Sequence, residues 1–169
     1  MTMTPRSIVI VGAGQAGVQA ASMLRTEGYA GAIQLIGNEQ GLPYQRPPLS
    51  KSYLGGGLAD DELHLETAPW FDEQRIEYLS DAHVDAIEPH GKRVRLSSGR
   101  VLEYDHLILA TGARNRTLPA LGKPVQGVFS LRTVADAAAL TSSLCDSRRV
   151  VVIGAGFLGL EVASVAKAQ

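Results

Sequence analysis

Cysteine is almost absent from this 169-residue chain, which has one, Cys145. It cannot form an internal disulfide, and no Cys/His spacing suited to a metal surrounds it, so it reads as a small filler on a helix. The four histidines, His64, His83, His90 and His106, are scattered without ligand spacing and read as structural or solvated. No metal site is expected. Charge of one sign is lacking too. Sixteen Lys and Arg against 17 Asp and Glu leave a net charge of −1, which points to neither nucleic acid nor an anionic membrane as a partner. No apolar run reaches the length of a membrane span. The first residues, Met1 to Arg6, lead into a strand without an apolar h-region, so no secretory signal is expected and the expected location is the cytoplasm. What remains is 45% apolar and 20% charged. That is a globular composition, with length for one domain or one domain plus part of another.

Against these absences stands one dense stretch. Ile8-Val9-Ile10-Val11 runs into Gly12-Ala13-Gly14-Gln15-Ala16-Gly17, and then into Val18–Arg25, a run of good helix formers. This is strand, tight turn and helix around a G-x-G-x-x-G fingerprint. Gly12 permits the turn, Gly14 lets a pyrophosphate approach the backbone, and Gly17 lets helix and strand pack closely. Free N–H groups at the helix start then face the phosphates. A second strand, Ala32–Ile36, follows. Asn38-Glu39 comes about 20 residues beyond the third glycine, where an acidic residue would hold ribose hydroxyls.

The segment Gly41–Lys51 carries three prolines and is expected to be a stiff loop. Ser50 is expected to cap a short helix, Lys51–Leu54, stopped by Gly55-Gly56-Gly57. The loop either holds the Lys51 cation at a ligand or is a surface connection. Asp60-Asp61-Glu62 reads as a solvated acidic patch. Ala68–Gln74 reads as a short helix with Pro69 in its first turn. Ile76–Leu79, His83–Ile87 and Arg93–Leu96 read as strands of a small antiparallel insertion with Val101–Tyr104 as its edge; Gly91 and Ser97-Ser98-Gly99 supply turns. His106–Ala110 reads as a buried strand ended by Thr111-Gly112-Ala113, at the sheet end where open α/β folds bind ligands. Arg114–Pro119 reads as an irregular linker, Val128–Thr133 as partly extended, and Asp136–Leu144 as helix. Then Val150-Val151-Val152-Ile153-Gly154-Ala155-Gly156-Phe157-Leu158-Gly159-Leu160-Glu161 repeats the opening pattern, strand included. Two nucleotide-type sites are implied. The expected class is α/β, a Rossmann-like unit with a small antiparallel insertion followed by the start of a second such unit.

In this order, the first fingerprint, Leu42-Pro43-Tyr44-Gln45-Arg46-Pro47-Pro48-Leu49-Ser50-Lys51, Leu109-Ala110-Thr111-Gly112-Ala113-Arg114, Leu131-Arg132-Thr133 and the second fingerprint with Glu161 span the chain. Together they resemble the flavoprotein ferredoxin reductases that serve bacterial cytochrome P450 and ring-hydroxylating oxygenase systems, in the pyridine nucleotide-disulfide oxidoreductase superfamily. Rubredoxin reductases and apoptosis-inducing-factor-like proteins are relatives. The resemblance implies residues 1–114 as the first segment of an FAD-binding domain. Residues 115–169 are then a linker and an incomplete NAD(P)-binding domain. It implies FAD held by Gly12, Gly14, Ala16 and Gly17 at the pyrophosphate. Lys51, Val84, Thr111, Gly112 and Arg132 lie on the flavin side, and the neighbouring motif residues Arg46, Pro47 and Ala110 also belong to the cofactor site. Gly154, Gly156, Gly159 and Glu161 open the nicotinamide site. Relatives carry Asp or Glu at the position of Asn38; here the carboxylate is at Glu39, and both are candidates.

The implied chemistry is hydride transfer from NAD(P)H, more readily NADH, to flavin N5, with electrons then passed singly to a [2Fe–2S] ferredoxin or rubredoxin. Lys51 and Glu161 pair beside N5 in the resembling proteins and are the implied catalytic residues; the alternative is a solvated lysine and a helix-facing acid. A flavin disulfide reductase would need a cysteine pair after the second strand, where this chain has none. A flavin monooxygenase would not carry a second Gly-rich unit so near Thr111-Gly112. The remaining alternative is a truncated, non-catalytic nucleotide-binding fragment. The 169 residues alone are expected to bind FAD weakly or not at all.

Overall fold

The computed structural model describes residues 5–116, 125–147 and 149–169. Thr117, Leu118 and Pro119 of the expected linker, and Met1 to Thr4, lie outside them. The chain divides into two compact units, one of Met1–Tyr44 with His64–Gly112, the other of Gln45–Leu63 with Ala113–Gln169.

The first unit is built on a four-stranded parallel sheet of order β3-β2-β1-β7. Its strands are β1 (Ser7–Val11), β2 (Ala32–Ile36), β3 (Ile76–Leu79) and β7 (His106–Leu109). Side chains alternate across a strand, and both faces of β1 are used. Ile8 and Ile10 join Ile33, Leu35, Val18, Ala21, Phe71 and Ile76 on the face covered by helices α1 (Gln15–Thr26) and α2 (Ala68–Glu73). Val9 and Val11 join Ile36, Val94, Leu96, Leu102 and Tyr104 on the other. That second face is covered by an antiparallel sheet of β4 (Val84–Glu88), β5 (Arg93–Leu96) and β6 (Val101–Glu103). A continuous β-branched run is what a strand buried on both faces requires.

Two expectations are corrected here. Ile76–Leu79 belongs to the parallel sheet, in register with β2 through Ile33 and Ile76. Apolar alternation does not distinguish a parallel strand from an antiparallel one; the crossover through α2 decides it. And β7 is half exposed, with Leu109 60% accessible, because it is the last strand on its side of the described sheet.

Two polar groups tie this unit together. Arg25, at the end of α1, donates to the carbonyls of Gln74, Tyr29, Gly31 and Arg75 at 2.6–2.9 Å. Asp105 accepts from the Arg6 and Ser7 amides at 2.6 and 3.1 Å, and so fixes the start of β1.

The second unit has no strand among its described residues. It consists of 3-10 turns at Pro47–Ser50 and Asp61–Leu63 and helices α3 (Val134–Cys145) and α4 (Phe157–Ala168). Leu49, Leu54 and Leu63 are its buried loop residues. The helical turn precedes the expected Lys51–Leu54 helix, and Ser50 closes it rather than capping a later one. Two prolines in succession preset φ for a tight turn, and the following N–H groups of Lys51 and Tyr53 bond back to the Pro48 carbonyl. Val150–Ile153 is not a strand either: Val151 is 86% and Ile153 74% exposed. A strand exists by pairing, and no described strand of this unit lies alongside to pair with it.

Candidate functional site

The sheet order reverses at β1: β2 and β3 lie on one side, β7 on the other. Open α/β sheets bind ligands at such a point, at the carboxyl ends of the strands. The first fingerprint is there. Gly12 has φ +112°, donates to the Ile36 carbonyl at 2.9 Å, and would drive a Cβ into the Ala110 carbonyl oxygen. Gly17 is buried, and a Cβ there would overlap the Gly12 carbonyl oxygen and press on Leu35. Both glycines are required by the protein's own packing. Gly14 is not. It is extended, with φ −83° and ψ −171°, and a Cβ would meet nothing within 4 Å. It opens a twelve-residue helix that has no side-chain cap and no acidic residue in its first turn. Open space over a glycine at uncapped amides fits a pyrophosphate oxygen.

Ala16 is exposed in the first turn of α1, and Thr111 and Gly112 are exposed just past β7. Gly112 has φ +67°, and the Ala110 amide bonds to the Val11 carbonyl at 2.8 Å. At the end of β2, Asn38 is exposed while Glu39 accepts the Tyr44 hydroxyl at 2.5 Å. Burial, with the Glu39 charge nearby, pushes the Tyr78 phenol up to about 12, and its hydroxyl donates to the Gly41 carbonyl at 2.9 Å. The mouth of the sheet therefore gathers Gly12, Gly14, Asn38, Ala110, Thr111 and Gly112. Val84 sits in another layer, half-buried at the start of β4 against Val94 and Leu96.

In the second unit the Pro-rich turn and α4 meet. Lys51 Nζ lies 3.0 Å from Glu161 Oε1 and 3.3 Å from the Pro47 carbonyl. The Ser50 hydroxyl donates to Glu161 Oε2 at 2.5 Å. The Ser50 bond first, and then Lys51, hold the Glu161 carboxyl below its ordinary value. Arg46 donates to the Arg132 carbonyl at 2.7 Å, fixing residue 132 at the start of α3. There the Asp136 carboxylate takes the Arg132 and Thr133 amides at 2.9 Å, completing a capping box with Thr133. Pro47 is exposed and opens the turn.

The second fingerprint repeats the first in detail. Gly154 has φ +114°; Gly156 has φ −78° and ψ 177° with open space over it; a Cβ on Gly159 would overlap the Gly154 carbonyl oxygen. Gly154, Gly156 and Gly159 line a groove of about 1140 Å³ with Val150–Ile153 and α3. The turn is thus formed locally, without a sheet beneath it. Sequence reasoning missed the Ser50, Tyr44, Asp105 and Arg25 contacts. The Ser50, Asp105 and Arg25–Gln74 contacts join residues 111, 98 and 49 positions apart, spacings that carry no period, although an acid just before the apolar run His106–Leu109 is a usable sign for Asp105.

A family model described as pyridine nucleotide-disulphide oxidoreductase matches residues 6–169. The chain belongs to this family. It is 52% identical over 161 residues to the rhodocoxin reductase of Rhodococcus erythropolis, covering 95% of this chain and 38% of that protein. It is 45% identical over 168 residues to the anthranilate 1,2-dioxygenase system ferredoxin–NAD(+) reductase component of Burkholderia cepacia, covering 98% and 41%. In a crystal structure of the covalent putidaredoxin reductase–putidaredoxin complex, a chain of 43% identity superposes with a TM-score of 0.91, covering 96% of this chain and 40% of that one. The chain therefore spans about two fifths of the length of these curated relatives. As a pyridine nucleotide-disulphide oxidoreductase it has Cys145 as its cysteine, exposed in α3. Among the described residues, no helix is long and apolar enough to cross a membrane.

Proposed function

We propose that this chain is the first segment of a cytoplasmic flavoprotein reductase that takes electrons from NAD(P)H, more readily NADH, and delivers them to a [2Fe–2S] ferredoxin or rubredoxin serving a P450 or ring-hydroxylating oxygenase. Residues 1–114 belong to its FAD domain and 115–169 to the linker and the opening of its nicotinamide-nucleotide domain. The single observation that carries the reading is the paired fingerprint: two turns with the same three-glycine geometry, each leaving open space over its central glycine. The printed name of one relative, a ferredoxin–NAD(+) reductase component of a dioxygenase system, supports this class of acceptor.

When bound, the flavin supplies the change from two-electron to one-electron transfer. The chain's residues do the rest. Gly12, its own amide bonded to the Ile36 carbonyl, makes the turn through which Gly14, Ala16 and Gly17 would present amides to the pyrophosphate, and Asn38 or Glu39 would bond the ribose. Ala110, Thr111, Gly112 and Val84 are the first unit's candidates for the flavin side, and Arg46, Pro47 and Arg132 are the second unit's. Lys51, paired with Glu161 at 3.0 Å, would offer its ammonium to the flavin and help orient the nicotinamide. Gly154, Gly156 and Gly159 receive the second pyrophosphate.

The test is a chimera in which residues 1–169 replace the corresponding segment of the Rhodococcus reductase. The expected product is yellow, is bleached by NADH without oxygen, and reduces a ferredoxin. A folded, colourless chimera would overturn the reading.

A further inference from the structure

Among the described residues Ser50 is the buried polar side chain, 3% exposed. A buried hydroxyl needs a partner, and its partner is Glu161, 111 residues away in the chain. The two carboxylate oxygens are divided: Oε2 takes the Ser50 hydroxyl, Oε1 takes Lys51. We propose that Ser50 is the positioning residue of the Lys51–Glu161 pair, its hydroxyl fixing one carboxylate oxygen so that the other stays on the ammonium. This rests on the reading that the pair acts at the flavin.

The ion pair alone is a weak restraint. The Lys51 and Glu161 side chains are 53% and 30% exposed, and partly solvated pairs of long side chains wander at little cost. Ser50 differs on each count. It has one side-chain torsion to order, and it closes a turn that Pro47 and Pro48 stiffen and that sits beside buried Leu49. Its bond to the carboxylate is short and charge-assisted. Serine and lysine are adjacent, so one stiff turn grips both oxygens of a residue one turn into α4. The Pro47 carbonyl braces the ammonium from its other side. Among the described residues, the rest of the pocket beside Glu161 is lined by Phe157, Leu160, Ser164 and Val165, none of them charged. Ser50 and Lys51 are therefore the groups that set its ionisation, in agreement with the order of their effects on the Glu161 carboxyl.

The test is a carboxyl-carbon NMR titration of Glu161 in the chimera freed of flavin, for the parent, Ser50→Ala, Ser50→Val and Ser50→Thr. Valine removes the hydroxyl while filling the volume, so an unfolded alanine variant leaves the question answerable. The two hydroxyl-free variants should shift the Glu161 titration upward, toward the ordinary carboxyl value of 4.5, and threonine should restore it. A serine with only a packing role would lower the melting temperature and leave that titration in place, and this result overturns the proposal. The readout needs no flavin. If the hydroxyl-free variants shift Glu161 and Lys51→Met still leaves NADH-dependent flavin reduction in the chimera unchanged, then Ser50 positions Glu161 as stated and it is the flavin role of the pair that fails.

Discussion

Gly17 and Gly14 are separated by one turn of chain, yet a side chain meets opposite surroundings at the two. At Gly17 it collides with the Gly12 carbonyl and with Leu35. Backbone cannot move aside as a flexible side chain can, so Gly17→Ala should cost roughly 1–3 kcal/mol, read as a lower denaturation midpoint of the first unit with or without nucleotide. At Gly14 the added atoms enter open space, so a substitution there should leave the fold intact and, on the proposed reading, would take the place of the pyrophosphate. Lys51 is half exposed and its bonds reach the Glu161 carboxylate and the Pro47 carbonyl. Lys51→Met should leave the melting curve nearly unchanged and slow flavin reduction by NADH in the chimera; unchanged reduction kinetics would remove Lys51 from the site.

At the scale of elements, β1 organises the first unit, and its start depends on Asp105. The Arg6 amide first, and then the Ser7 amide, hold this carboxyl below its ordinary 3.8. A depressed carboxyl contributes stability that is present above its unfolded value and lost as the pH falls through the folded one. The gap in melting temperature between the parent and Asp105→Ala should therefore be full well above pH 3.8 and narrow as the pH falls below it; a gap that persists undiminished in acid would show that the carboxylate's charge is not what β1 uses. Helix α3 depends on its capping box in the same way. Thr133→Ala removes the acceptor for the Asp136 amide and should cost about 1 kcal/mol, measured by hydrogen exchange in α3.

The elements divide sharply by how far the chain alone revealed them. The strand–turn–helix of Ile8–Arg25 was legible because β-branched residues, three glycines and helix formers each demand the same local answer. Helix α3, the hairpin turn at Ser97-Ser98-Gly99 and the β6 edge at Val101 were legible for the same reason. The sheet that β3 joins is not legible in its own residues, because its partner is set by a crossover and not by its own pattern. Composition favours a strand at Val150–Ile153, but pairing is a tertiary event and no described strand of this unit provides it. At the candidate site the glycines were readable, whereas the Ser50–Glu161 bond joins residues 111 positions apart and leaves no local trace.

At the scale of the whole molecule, the two units differ in what they bury. The first covers both faces of its sheet. The second leaves Val150, Val151, Ile153, Phe157 and Leu160 exposed around a formed fingerprint. Apolar strand residues in water neither pair nor pack, and a small unit without a sheet has little core to hold it. The 169-residue chain by itself is therefore expected to bind FAD weakly or not at all and to show no NADH-dependent reduction of ferricyanide; stoichiometric flavin with saturable turnover would contradict this. The central claim, that the first fingerprint carries the FAD pyrophosphate, is tested most directly by the flavin content of Gly14→Leu in the chimera. The account predicts a protein with the parent's melting curve after flavin removal and without bound flavin. A Gly14→Leu chimera that keeps its full yellow complement would contradict it.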